Sequence, residues 1–215
     1  MGRRSLPKID PSLDLSRHLI KSDDLPQTVS SQSLFQNDLL LQVEVGSGKG
    51  LFMASASAEL PDHNFVGIEI AGKYARFAAA KLAKARRQNA RMIHGDAEQV
   101  FAERIPAGSL AAVHVYFPDP WWKARHRKRR VMNESFLHRV EQTLVPGGEL
   151  HFWTDVQEYF DVTLELIGQC TRLDGPHKVA PQLPQHDLDY RTHFERRMRK
   201  TGEPVYRSLF KRPAD

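Results

Sequence analysis

The residues best suited to chemistry are acids placed just past short apolar runs. Glu44 stands two positions before the first glycine of "VEVGSGKG" (Val43–Gly50), Glu69 lies at the end of "NFVGIEI" (Asn64–Ile70), and Asp96 follows "RMIHG". Asp119 is held between Pro118 and Pro120 in "FPDPWW". Proline on both sides leaves a carboxylate few backbone alternatives, which suits a reacting group whose misplacement by an ångström costs orders of magnitude in rate.

The glycine turn has to be sorted among nucleotide motifs. A dinucleotide fingerprint GxGxxG requires glycine where Leu51 stands. A phosphate-binding P-loop requires Ser or Thr where Gly50 stands and a first glycine where Val43 stands. What remains is Gly46-x-Gly48-x-Gly50. Glu69, about twenty residues on, is spaced to take ribose hydroxyls, and Asp96 to meet an adenine amino group. A nucleoside ligand without phosphates fits this pattern, and S-adenosylmethionine (SAM) is such a ligand.

These residues need elements to position them. "DLLLQVEVG" (Asp38–Gly46), "NFVGIEI", "RMIHGDA", "SLAAVHVYFPD", "ELHFWTD" and "PVYRSLFK" read as strands. Between them, "GLFMASASAEL" before Pro61, the Ala-rich Lys73–Asn89, Glu98–Arg104, a segment from Asn133 to the Pro146-Gly147-Gly148 stop, and Val156–Thr171 read as helices. This alternation predicts an α/β fold: a doubly wound, mostly parallel, seven-stranded sheet whose last strand is antiparallel. Ligands of such sheets bind at the carboxyl ends of the strands, where these acids fall. Residues 1–36, with Pro7, Pro11 and Pro26, are expected to form a flexible N-terminal arm, and residues 37–215 a single domain.

Composition narrows the partners. The chain has 215 residues, 27% of them charged, and its formal charge of +5 is gathered at Lys73–Arg91, Lys123–Arg130 and Arg191–Arg212. Such clusters favour a polyanionic partner, nucleic acid above all. Cys170 is the single cysteine, so no thiolate metal site or internal disulfide is expected, and the scattered histidines suggest no metal. No apolar run approaches the roughly 18 residues that span a bilayer, and no apolar segment follows the basic start. A cytoplasmic protein, with no membrane partner, is the expectation.

"VEVGSGKG", "GIEI", "GDA", "FPDPWWKARHRKRR", "FWTD" and "THFE" occur in this order between Val43 and Tyr206. Together they resemble the bacterial tRNA (guanine-N7)-methyltransferases, class I SAM-dependent enzymes with a Rossmann-like fold. The resemblance implies transfer of a methyl group from SAM to N7 of a guanosine in tRNA, at position 46 of the variable loop. It implies that Glu44, Gly46, Gly48, Glu69, Asp96 and Asp119 bind the cofactor and that Asp119 is also catalytic. Lys123, Asp155, Thr192, His193, Phe194 and Glu195 would contact the substrate guanosine; Arg125, His126, Arg127, Lys128, Arg129 and Arg130 would contact the RNA. Trp122 stands where the family often has another residue and receives no role. The enzyme is expected to work as a monomer or homodimer. The alternative is a SAM-dependent enzyme acting on another RNA or on a small molecule; the small-molecule enzyme would share the strand-end acids but would not need the Lys123–Arg130 cluster.

Overall fold

The computed structural model describes residues 6–179 and 202–214. Short branched-apolar runs become strands: β1 (Leu19–Lys21), β2 (Leu40–Val45), β3 (His63–Glu69), β4 (Ala90–His94), β5 (Leu110–Tyr116), β6 (Leu144–Thr154), β7 (Asp174–His177) and β8 (Tyr206–Lys211). The helices are α1 (Ser31–Phe35), α2 (Leu51–Glu59), α3 (Gly72–Lys84), α4 (Ala97–Glu103), α5 (Glu134–Thr143) and α6 (Gln157–Cys170). One sheet runs in the order β1-β4-β3-β2-β5-β6-β8-β7. From β1 to β6 every neighbouring pair is parallel, and β8 is antiparallel to both β6 and β7.

Helices cover both faces. Phe52 and Met53 of α2 and Ala78 and Leu82 of α3 pack with Phe65, Met92, Tyr116 and Trp153 on one side. Val100 and Phe101 of α4, Phe136 and Leu137 of α5, and Tyr159 and Ile167 of α6 join Val43, Val113, Val115 and Phe152 on the other. Burial on both faces explains why the central strands are near-continuous apolar runs. No helix among the described residues is long and apolar enough to cross a membrane.

The sheet has eight strands where seven are expected; of the two that no quoted segment covers, β1 comes from the N-terminal arm and β7 (Asp174–His177) follows α6. β1 pairs with the outer edge of β4, Leu19 opposite Met92 and Lys21 opposite His94, so β4 is not left with an open row of backbone donors and acceptors. His18 Nε2 lies 2.9 Å from the Arg87 carbonyl, and the Val29 N–H donates to Arg104 O at 2.8 Å. The described part of the arm is thus folded onto the domain, a finding at odds with a flexible segment. Proline and polar residues conceal this, since the partner edge is far away in sequence.

Two boundaries also shift. α3 stops at Lys84, not Asn89: Arg86 turns left-handed (φ 52°), and the N–H groups of Arg86 and Arg87 donate to Ala83 O and Leu82 O. α5 stops at Thr143, and β6 begins at once and runs through Pro146-Gly147-Gly148, where the Gly147 N–H donates to Arg212 O at 2.8 Å.

Val29 has no solvent exposure and sits in the α4–α6 core. Val29→Ala should cost about 1–3 kcal/mol, methyl transfer plus residual cavity, in urea titration. An arm that does not contribute to the core would show no change in midpoint.

Candidate active site

The strand order reverses at β2, flanked by β3 on one side and β5 on the other, and the ligand crevice of such sheets opens at that point beyond the carboxyl ends. Five parallel strands end there. β2 delivers the glycine turn, β3 Glu69, β4 Asp96, β5 Asp119 and β6 Asp155. Adjacent ends are tied together: the Gly46 N–H donates to Ile68 O (2.8 Å), Gly95 N–H to Glu69 O (3.2 Å), and Phe117 N–H to Trp153 O (2.7 Å). Residues spread over more than a hundred positions thus form one row.

All three glycines of the turn have positive φ: 74° at Gly46, 52° at Gly48 and 65° at Gly50. L side chains rarely adopt this conformation. A Cβ on Gly50 would lie 2.5 Å from Ala78 Cβ, so glycine also lets α3 press against the start of α2. At Gly46 a Cβ would meet nothing within 4 Å, so the turn's outer side is open.

Two glutamates lie beneath and beside the turn. The Glu69 carboxylate, 8% exposed, accepts from the Gly48 N–H and the Ala71 N–H, each at 2.8 Å. It therefore organises the glycine turn, and a carboxylate's remaining lone pairs can still take ribose hydroxyls. Glu44 is 4% exposed, and its Oε2 has no hydrogen-bond partner. Burial pushes the Glu44 carboxyl up to about 8, a hydrogen bond with Ser47 opposes this, and the Glu69 charge adds to it. Asp96 is exposed and caps α4, accepting from the Glu98 N–H at 2.9 Å.

The Asp119 turn is bracketed by strain. Phe117 (φ 51°) and Trp121 (φ 44°) are both left-handed, a conformation that costs bulky residues on the order of 1–3 kcal/mol each. Asp119 itself is exposed at the tip, and Asp155 is half-buried at the next strand end. After the turn, residues Ala124–Arg129 wind into a 3-10 helix. Lys123, Arg125, Lys128 and Arg129 are exposed, with the Arg129 guanidinium 5.1 Å over the Trp121 ring and His126 edge-on to that ring at 5.7 Å. Trp122 is 62% exposed beside them.

Arg130 departs from expectation. It is 9% exposed, donates through Nε to Pro120 O at 2.7 Å, and lies 4.6 Å over the buried Tyr159 ring, so its side chain is packed against the fold. Nothing in the basic run distinguishes it, because its partner ring comes from α6. Tyr159 carries no signal in the sequence for the same reason; its hydroxyl is pushed up to about 12 by burial, with the Asp119 charge adding to the rise. Thr192, His193, Phe194, Glu195 and the side chain of Arg127 lie outside the described residues.

The raised Glu44 carboxyl sets a pH dependence. Between the ordinary carboxylate value and about 8 the folded chain keeps a proton that the unfolded chain has lost, so this group makes stability fall as pH rises through that window. Glu44→Gln should melt about 5 °C above the parent at pH 9 and converge with it toward pH 4.5, while SAM binding weakens by about tenfold or more. A melting difference independent of pH would refute a buried, protonated Glu44.

Comparison with known proteins agrees with this geometry. Residues 38–208 match the model of a family described as "Putative methyltransferase". A tRNA (guanine-N(7)-)-methyltransferase of Rhodopirellula baltica is 52% identical over 99% of this chain and 80% of its own length. One of Geobacter metallireducens is 32% identical over 93% of this chain and 95% of its own. Among solved structures, a SAM-dependent methyltransferase from Aquifex aeolicus superposes with TM-score 0.55 at 11% identity, covering 80% of this chain and 82% of its own. The aminoglycoside resistance methyltransferase NpmB1 gives 0.54 at 17%, covering 80% and 87%. Those two support the fold, and the sequence relatives carry the closer relationship: this chain belongs to the tRNA (guanine-N7)-methyltransferase family.

Proposed function

We propose that the protein is a cytoplasmic enzyme that methylates N7 of a guanosine in tRNA, at position 46 of the variable loop. The observation that carries this reading is the junction of two unlike surfaces. A row of acids at the strand ends passes, through one proline-flanked carboxylate, straight into exposed Lys123, Arg125, Lys128 and Arg129. A small-molecule enzyme needs the first surface but not the second.

The residues present fit SAM. The open glycine turn would leave room beside its backbone, and the ammonium group of SAM would supply the partner that buried Glu44 Oε2 lacks. Glu69 has lone pairs left for the ribose hydroxyls, and the exposed Asp96 carboxylate, which accepts from the Glu98 N–H, would still have capacity for an adenine amino group. When bound, SAM supplies an electrophilic methyl group on a sulfonium centre.

Guanine N7 holds an unprotonated lone pair, so no base has to remove a proton from the attacking atom. The chain's work is to align the base and to stabilise the positive charge that the purine ring acquires. Asp119 and Asp155 suit both tasks, accepting from the guanine N1–H and amino group and favouring a cationic ring. Lys123 supplies a donor for O6. The exposed basic residues hold phosphates, an interaction that salt weakens through counterion competition.

Incubation with SAM and unmodified tRNA, followed by nucleoside mass spectrometry, should yield 7-methylguanosine mapped to one position. Methylation of a different base, or none on tRNA that is bound, would overturn the reading. Asp119→Asn should lower single-turnover methylation at saturating SAM by about a hundredfold or more. Between 50 and 200 mM salt, tRNA affinity should fall by about a hundredfold while SAM affinity barely moves.

A further inference from the structure

The mechanism above has no use for a buried arginine, yet Arg130 sits directly beneath the Asp119 turn. Its side chain lies between two fixed partners, the Pro120 carbonyl at 2.7 Å and the Tyr159 ring at 4.6 Å. Its backbone is anchored too: Asn133 Nδ2 donates to Arg130 O at 3.1 Å, while Asn133 Oδ1 caps α5 by accepting from the Phe136 N–H at 3.0 Å. Tyr159 is 1% exposed and packs edge-on against Phe152 at 5.8 Å, so the ring is a rigid platform.

The turn needs such an anchor. Pro118 and Pro120 have no N–H, and the Phe117 N–H is spent on Trp153 O, so the segment has few donors with which to hold itself. Its carbonyls remain, and a strained left-handed residue at each end works against the geometry. Burying a guanidinium is costly unless its donors and its face are used, and here Nε and the planar face both are. Lysine carries the charge but neither the planar fork nor the stacking face.

We propose that Arg130 is a positioning residue: by bridging Pro120 O and the Tyr159 ring it fixes Asp119 and closes the base of the basic loop from Trp121 to Arg129. This rests on Asp119 being the reacting carboxylate. The same bridge spans ten residues, so it also sets the distance between Asp119 and the cations that hold RNA.

The test compares the parent with Arg130→Lys, Arg130→Gln and Lys128→Ala. Arg130→Lys should lower single-turnover methylation at saturating tRNA by about ten- to a hundredfold. Its tRNA dissociation constant should stay within about threefold and the salt dependence of binding should be unchanged. Lys128→Ala should instead weaken tRNA binding and reduce the salt slope by about one. Methylguanidinium should restore rate to Arg130→Gln, whereas methylammonium should not. Independently of any reaction, amide hydrogen exchange at Asp119 and through residues 121–129 should quicken about tenfold in both Arg130 variants. Unchanged exchange, or a rate equal to the parent's in an active preparation, overturns the proposal. A salt slope reduced as in Lys128→Ala assigns Arg130 to the RNA instead. If the parent makes no 7-methylguanosine but exchange quickens as expected, the anchor stands and the assigned reaction fails.

Discussion

The site depends on one carboxylate that never leaves the backbone. Glu69 accepts from the amides of Gly48 and Ala71, and so joins the turn after β2 to the start of α3. A charge-assisted bond to a backbone amide is stronger than a neutral one; the bond to Gly48 fixes the middle of the left-handed glycine turn, and the bond to Ala71 ties it to the start of α3. That arrangement has an electrostatic consequence. Burial above all, with a smaller contribution from neighbouring Glu69, pushes the Glu44 carboxyl up to about 8, and its Oε2 has no hydrogen-bond partner. The turn is thereby shaped in advance, while one acid beneath it keeps an oxygen with no hydrogen-bond partner.

At the other side of the crevice the design is different. The glycine turn is relaxed because glycine tolerates positive φ, but the Asp119 turn places Phe117 and Trp121 in the same region of backbone space at a cost. Stability elsewhere offsets that strain, through the β5–β6 ladder below and the Arg130–Tyr159 stack behind. Trp121 in turn carries Arg129 on its face and His126 at its edge, so the orientation of the basic helix is coupled to the turn that presents the acid. The exposed cations and Asp119 are therefore placed by one continuous set of contacts.

Much of this was legible in the chain. Alternating apolar runs and helix signals specify the order of β2 to β6 and α2 to α6, since both-face burial selects branched residues and caps such as Asn133 mark a start. Three glycines at alternate positions announce a turn that side chains could not make, and acids at successive strand ends announce a row, because parallel strands end on the same side. Less legible were elements whose partners are remote. β1 exists because β4 offers it an edge some seventy residues later, and its own residues carry little pattern.

Residue types and local spacing thus determined, without further help, the alternation of elements, the glycine turn, the strand-end acids and the proline-bound Asp119. Those features follow from backbone sterics and burial periodicity, which act over a few residues. Tertiary structure alone decided which member of the basic run turns inward, that Glu69 is spent partly on backbone amides, and that Glu44 holds a proton. Each of these depends on what a side chain meets across the fold: a Tyr159 ring for Arg130, two amides for Glu69, and burial with one unpartnered oxygen for Glu44. Desolvation and long-range contact have no signature in a linear run of residues, and so Arg130 looked like every other cation around it.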